Sequence, residues 1–129
     1  MENRLYQRIP IQVSATVITE QGERIEVVAV DLSSEGLGIE CSTRQRNTIT
    51  PSGSFLRNGK LLELLVEFKL YDEVNALSKN TVKCRVVFSR RLSSEQCKIG
   101  FRFVDIDDEF HERLIQLIDR AKMLNISRK

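Results

Sequence analysis

Two arginines and one short polar stretch hold the residue types best suited to chemistry in this chain. Arg4 and Arg8 lie four apart in a polar N-terminal arm, and Asp31, Ser33 and Gly36 stand within Asp31-Leu32-Ser33-Ser34-Glu35-Gly36-Leu37-Gly38. On a helix the two arginines would share a face; in extended chain they would straddle a ligand roughly 13 Å long. A guanidinium can grip a phosphate with two parallel hydrogen bonds, lie flat on a purine, or reach guanine O6 and N7. A carboxylate complements that set, because it accepts from the N1 and N2 hydrogens of guanine. Ser33 and the backbone around Gly36 can serve the remaining polar atoms, and glycine allows positive φ or close approach to the main chain. Each half has a plainer reading. The bend is also what a tight turn looks like, and two arginines near a terminus are what a solvated basic end carries. Together the five positions match a ligand with guanine faces and phosphates.

The flanking sequence says what must hold these residues. Ile11, Val13, Ala15 and Val17 alternate with mostly polar neighbours, residues 25–30 are rich in β-branched types, and residues 37–41 resume an apolar run. A period of two places one side of each strand on a core. In such backbone Asp31 and Ser33 point one way and Leu32 the other, toward the interior. Residues 61–70, 81–88 and 97–104 read as further strands, with turns at 71–77 and 90–95. Six strands with hairpin-type links predict an antiparallel barrel rather than a βαβ sheet. Asp105, Asp107, Asp108 and Glu109 then supply capping and first-turn carboxylates, and Phe110, Leu114, Leu117, Ile118, Ala121 and Leu124 recur at helical spacing. An amphipathic helix over 107–125 therefore closes a barrel spanning 9–104, with residues 1–8 as an arm expected to move without ligand. Between Ser42 and Lys60 the apolar pattern thins to a long excursion carrying Arg44, Arg46, Arg57 and Lys60, read as a solvated basic loop.

The totals narrow the function. The 129 residues suit one domain, and the formal charge of +2 is too slight for a general nucleic-acid binder. Three cysteines without C-x-x-C spacing fit neither a disulfide framework nor a zinc site, and read as small buried hydrophobes in a reducing compartment. No apolar run reaches the roughly 20 residues of a membrane span, and the start lacks a signal-peptide pattern, so the expected location is cytoplasmic. The single histidine, His111, falls in the expected helix with nothing near it to orient a nucleophile. The acidic run at 105–109 lacks the glycine and closing glutamate of a calcium loop. Neither catalysis nor a metal is expected. A small barrel binding single strands would want aromatic platforms, but six Phe, two Tyr and no Trp sit mostly at core positions.

Arg4-Leu5-Tyr6-Gln7-Arg8 fits R-x-x-x-R, and Asp31 to Gly36 fits D-x-S-x-x-G. In that order, with two strands between them, these motifs resemble the PilZ domain family, bacterial receptor modules for cyclic di-GMP. The likeness continues through Leu37-Gly38-Ile39, Val86-Val87-Phe88-Ser89-Arg90 and Ile99-Gly100-Phe101-Arg102-Phe103. It implies a six-stranded antiparallel barrel with a C-terminal helix and cyclic di-GMP on the outer surface. Arg4 and Arg8 would grip phosphates and guanine edges, Asp31 and Ser33 would hydrogen-bond a guanine, and Gly36 would permit close approach, with Phe88 and Arg90 nearby. Asn3 stands where many relatives carry a further arginine, so one ligand and a stacked pair both remain open. The implied role is a stand-alone adaptor without cofactor, signalling to an unidentified effector protein in motility, adhesion or exopolysaccharide control. The alternative is a degenerate scaffold that makes protein contacts and binds no nucleotide.

Overall fold

The structure, a computed structural model, describes residues 8–51, 56–71 and 77–127. Arg4 and most of the expected arm thus lie outside the described residues, as do 72–76 of the expected turn. The strands are β1 (Ile9–Ile18), β2 (Arg24–Leu32), β3 (Gly36–Ser42), β4 (Leu56–Arg57), β5 (Lys60–Leu61), β6 (Glu63–Tyr71), β7 (Leu77–Arg91) and β8 (Gln96–Phe103). The helices are α1 (Thr43–Ile49) and α2 (Asp108–Ser127). Six strands close a barrel in the order β1-β2-β3-β8-β7-β6, every pair antiparallel, and β4 with β5 forms a separate small hairpin.

The alternation works as the pattern predicts. Val17, Ile39, Val66, Val86, Ile99 and Phe101 face inward and are almost wholly buried. One end of the barrel is shut by α2, whose Phe110, Leu114 and Ile118 form a buried stripe at helical spacing. The Phe110 ring meets Phe68 at 6.2 Å and Phe103 at 5.8 Å, both edge to face. Asp107 caps the helix, accepting from the Phe110 amide at 2.7 Å.

The excursion is not structureless. Ser42 accepts from the Gln45 amide while the Gln45 side chain accepts from the Ser42 amide, and this reciprocal cap starts α1. Ile49 is the buried residue of that helix and packs with Leu62 in the core. A seven-residue helix burying one side chain shows little apolar periodicity, so its signature is the cap.

All three thiols are free and buried, with Cys41 directly opposite Cys97 across β3 and β8. Burial pushes Cys41 up to about 11, with Cys97 beside it adding to the effect, and burial alone pushes Cys84 up to about 12. A pKa above its unfolded value of 9.0 means the folded state holds the proton more tightly. The stabilisation is therefore complete below pH 9 and is lost as pH climbs toward 11–12. Urea midpoints should fall over that window, less so in Cys84→Ala after its lower starting stability is subtracted. A Cys84→Ala curve parallel to wild type would show that this thiol does not set the alkaline limit.

Candidate functional site

The site is built on two interruptions of the strand pattern. In β2, Ile25, Val27 and Ala29 face the core, and strict alternation would send Asp31 in after them. The register of β2 with β3 shifts between Ala29 and Asp31, so Val30 is an extra residue. Past it the phase inverts: Leu32 is fully buried and Asp31 lies on the outer face. A matching shift between Val86 and Phe88 in β7 brings Phe88 to the outer face opposite Gly100.

These shifts line up one row across the outside of the barrel: Pro10, Asp31, Gly38, Gly100 and Phe88 on β1, β2, β3, β8 and β7. Two adjacent members, Gly38 and Gly100, are glycines, and both spaces are used. A Cβ at Gly38 would stand 2.8 Å from an Asp31 carboxylate oxygen, and one at Gly100 would stand 2.1 Å from the Phe88 ring. The carboxylate thus leans over β3 and the phenyl ring lies over β8. Arg90 faces its guanidinium to that ring at 5.9 Å from the centroid. The strand β7 runs through Arg90, which the sequence pattern places in a turn.

Asp31 is held by two cations. Arg8 donates from Nη1 to Oδ1 at 2.8 Å, and Lys98 approaches Oδ2 with Nζ at 2.6 Å. The carboxylate is only 13% exposed, against 35% for Arg8 and 21% for Lys98. Arg8 and Asp31, 23 residues apart in sequence, therefore meet as the motif pair requires. Lys98 is absent from the sequence prediction. It belongs to neither motif, and its proximity to Asp31 follows only from strand order.

Ser33 and Gly36 occupy a different setting. The chain leaves β2 after Leu32, so Ser33 does not share the face of Asp31; it is 2% exposed. Its hydroxyl accepts from the amides of Glu35 at 3.1 Å and Gly36 at 3.2 Å, and its own amide donates to the Gly36 carbonyl at 2.9 Å. Ser33 builds the bend that ends β2 and starts β3. A Cβ at Gly36 would fall 2.0 Å from the Phe101 carbonyl oxygen. Close approach there is by β8, and it demands glycine for the strand pairing itself. The bend is also tied inward, since the Phe103 amide donates to the Glu35 carbonyl at 2.8 Å.

The row lies on the outer face of the barrel. A groove of about 460 Å³ lies elsewhere, between β7 and the start of α2, lined in part by Lys79, Lys83, Asp107 and Arg113, and holds none of the predicted site residues. Among the described residues no group of three His, Cys, Asp or Glu is placed to hold a metal ion, and no helix is long and apolar enough to cross a membrane.

Solved structures share this architecture. The Bacillus subtilis inhibitor of motility MotI/DgrA superposes with a TM-score of 0.71 at 17% identity, over 95% of this chain and 53% of that one. Escherichia coli YcgR in complex with c-di-GMP gives 0.70 at 14% identity, over 99% of this chain and 50% of that one. The isolated PilZ domain of YcgR with c-di-GMP gives 0.66 at 12% identity, over 98% of this chain and 97% of that one. This chain therefore spans about half the length of MotI and of full YcgR, and nearly all of the isolated domain. No curated relative matches by sequence. The PilZ domain model matches residues 2–120, both arginines and the Asp31 bend included, and the chain belongs to the PilZ domain family.

Proposed function

We propose that this domain is a receptor for cyclic di-GMP, bound on the outer barrel face between Arg8 and the Asp31–Phe88 row. The observation that carries the reading is the meeting of Arg8 with Asp31 on that face, two motif residues brought to hydrogen-bond distance by the β1–β2 register. Support comes from fold neighbours whose structures contain this dinucleotide. Asp31 accepts from a guanine edge, Arg8 and Arg4 take phosphate or a purine face, and Phe88 with Arg90 supplies an apolar and cationic flank. Ser33 and Gly36 contribute by shaping the bend. Because Arg8 is engaged by Asp31, binding exchanges that ion pair for contacts to the dinucleotide. The segment preceding β1 then changes course and presents an altered surface to a cytoplasmic protein partner in motility, adhesion or exopolysaccharide control.

Calorimetric titration with cyclic di-GMP tests the reading. Wild-type protein should bind, and Arg8→Ala should bind about ten- to a hundredfold more weakly, the worth of one charge-assisted contact of roughly 1.5–3 kcal/mol. Absence of heat and of NMR shifts with the wild type would return the domain to a protein-contact scaffold. Unchanged affinity in Arg8→Ala would remove Arg8 from the site.

A further inference from the structure

We propose that Lys98, reached across Gly38, is a positioning residue of the nucleotide site: it keeps Asp31 paired and aimed once Arg8 leaves for the ligand. The inference rests on the cyclic di-GMP reading above. Asp31 is on β2 and Lys98 on β8, with all of β3 between them. The residue directly opposite Lys98 on β3 is Glu40, yet Nζ runs diagonally to Asp31 Oδ2 at 2.6 Å. That diagonal is open because residue 38 is glycine; a side chain there would displace the carboxylate, whose three terminal atoms lie 2.8–3.0 Å from the Cβ position.

The two cations differ in what binding asks of them. Arg8 precedes β1 and is the more exposed, whereas Lys98 sits inside a strand paired on both sides, with β3 and with β7. If Arg8 turns to the dinucleotide, Asp31, only 13% exposed, would without Lys98 be a carboxylate with no counter-ion, and an unpaired charge so placed is costly. Lys98 removes that difficulty. A carboxylate offers about four acceptor positions on its two oxygens, so one ammonium on Oδ2 leaves both oxygens able to accept from guanine N1–H and N2–H. Lys98 thus acts through Asp31, with no contact of its own to the ligand required.

The test is a cycle of variants of this chain titrated with cyclic di-GMP by calorimetry and NMR. Lys98→Met should weaken binding about tenfold, and Lys98→Arg, which keeps the charge, should return to within about threefold of wild type. In an Asp31→Asn background, Lys98→Met should cost less than about twofold more, because its partner is already gone. Gly38→Ala, which alters no charge but displaces the carboxylate itself, should weaken binding at least as much as Lys98→Met. Wild-type affinity in Lys98→Met or in Gly38→Ala overturns the proposal. So does an undiminished tenfold loss in the Asp31→Asn background, which would make Lys98 an independent ligand contact. A wild-type domain that does not bind at all would instead sink the nucleotide reading itself.

Discussion

Asp31→Asn is expected to lower the affinity for cyclic di-GMP about a hundredfold while leaving the melting temperature nearly unchanged. The carboxylate can accept two hydrogen bonds from one guanine edge, and bonds to a charged group are worth roughly 1.5–3 kcal/mol each. An amide of the same shape keeps one oxygen but points two hydrogens at a donor edge. Loss of about 3 kcal/mol corresponds to roughly a hundredfold. Stability should hardly move, because the ion pairs broken involve Arg8 and Lys98 side chains that are 35% and 21% exposed, and partly exposed pairs contribute at most about 1 kcal/mol. Cyclic di-AMP makes the measurement sharper. Adenine presents an acceptor at N1 where guanine presents a donor, so the wild type should reject it strongly and Asp31→Asn should narrow the gap. A variant that binds both nucleotides as the wild type does would show that Asp31 does not read the base.

The largest effect on stability is expected from Phe110→Ala, which should destabilise the fold by about 3–5 kcal/mol, the usual cost of a large aromatic removed from a core. Phe110 is 6% exposed and touches Phe68 and Phe103 edge to face, so its removal empties the junction where α2 meets the end of the barrel. For a domain of this size the midpoint should fall by roughly 10–20 °C. Phe68 and Phe103 also stack at 6.4 Å and would lose the ring that covers both. Thermal denaturation measures the loss. A titration well below the lowered midpoint should give an affinity within about threefold of wild type, since the ring contacts of Phe110 are with Phe68, Phe103 and Arg113. A shift of only a degree or two would mean that α2 covers the barrel without being packed into it.

Much of this was legible in the sequence, for reasons that also mark where legibility ends. Strands with one buried face announce themselves through alternation, and α2 through its stripe of Phe110, Leu114 and Ile118 following an acidic cap. Short α1 was not legible through hydrophobicity, because Ile49 alone anchors it; the Ser42 and Gln45 pair was its only signal. Arg8 and Asp31 could be paired through their motifs. Lys98 could not, since its contact with Asp31 depends on β8 lying next to β3 and on the space above Gly38. Gly36 and Gly38 read alike in sequence as backbone open to a ligand. In the fold they are opposites, one filled by the Phe101 carbonyl and the other by the Asp31 carboxylate. Ser33 was misplaced by extending strand geometry one residue past Leu32, where the chain has already turned.

The bulge at Val30 keeps the site in its reading frame. If β2 kept Val30 but followed strict alternation, Asp31 would arrive in the barrel interior beside side chains such as Ile39. Leu32 would move out to solvent, and a lone carboxylate would stand in an apolar core. The bulge absorbs the extra residue, so that Ala29 still faces Ile39 and Asp31 faces Gly38, the same pairs a strand one residue shorter would make with no bulge at all. In this domain the pairing of Asp31 with Gly38 is therefore as much a part of the motif as the letters that spell it, and a homologue without Val30 would keep both the spelling and the site.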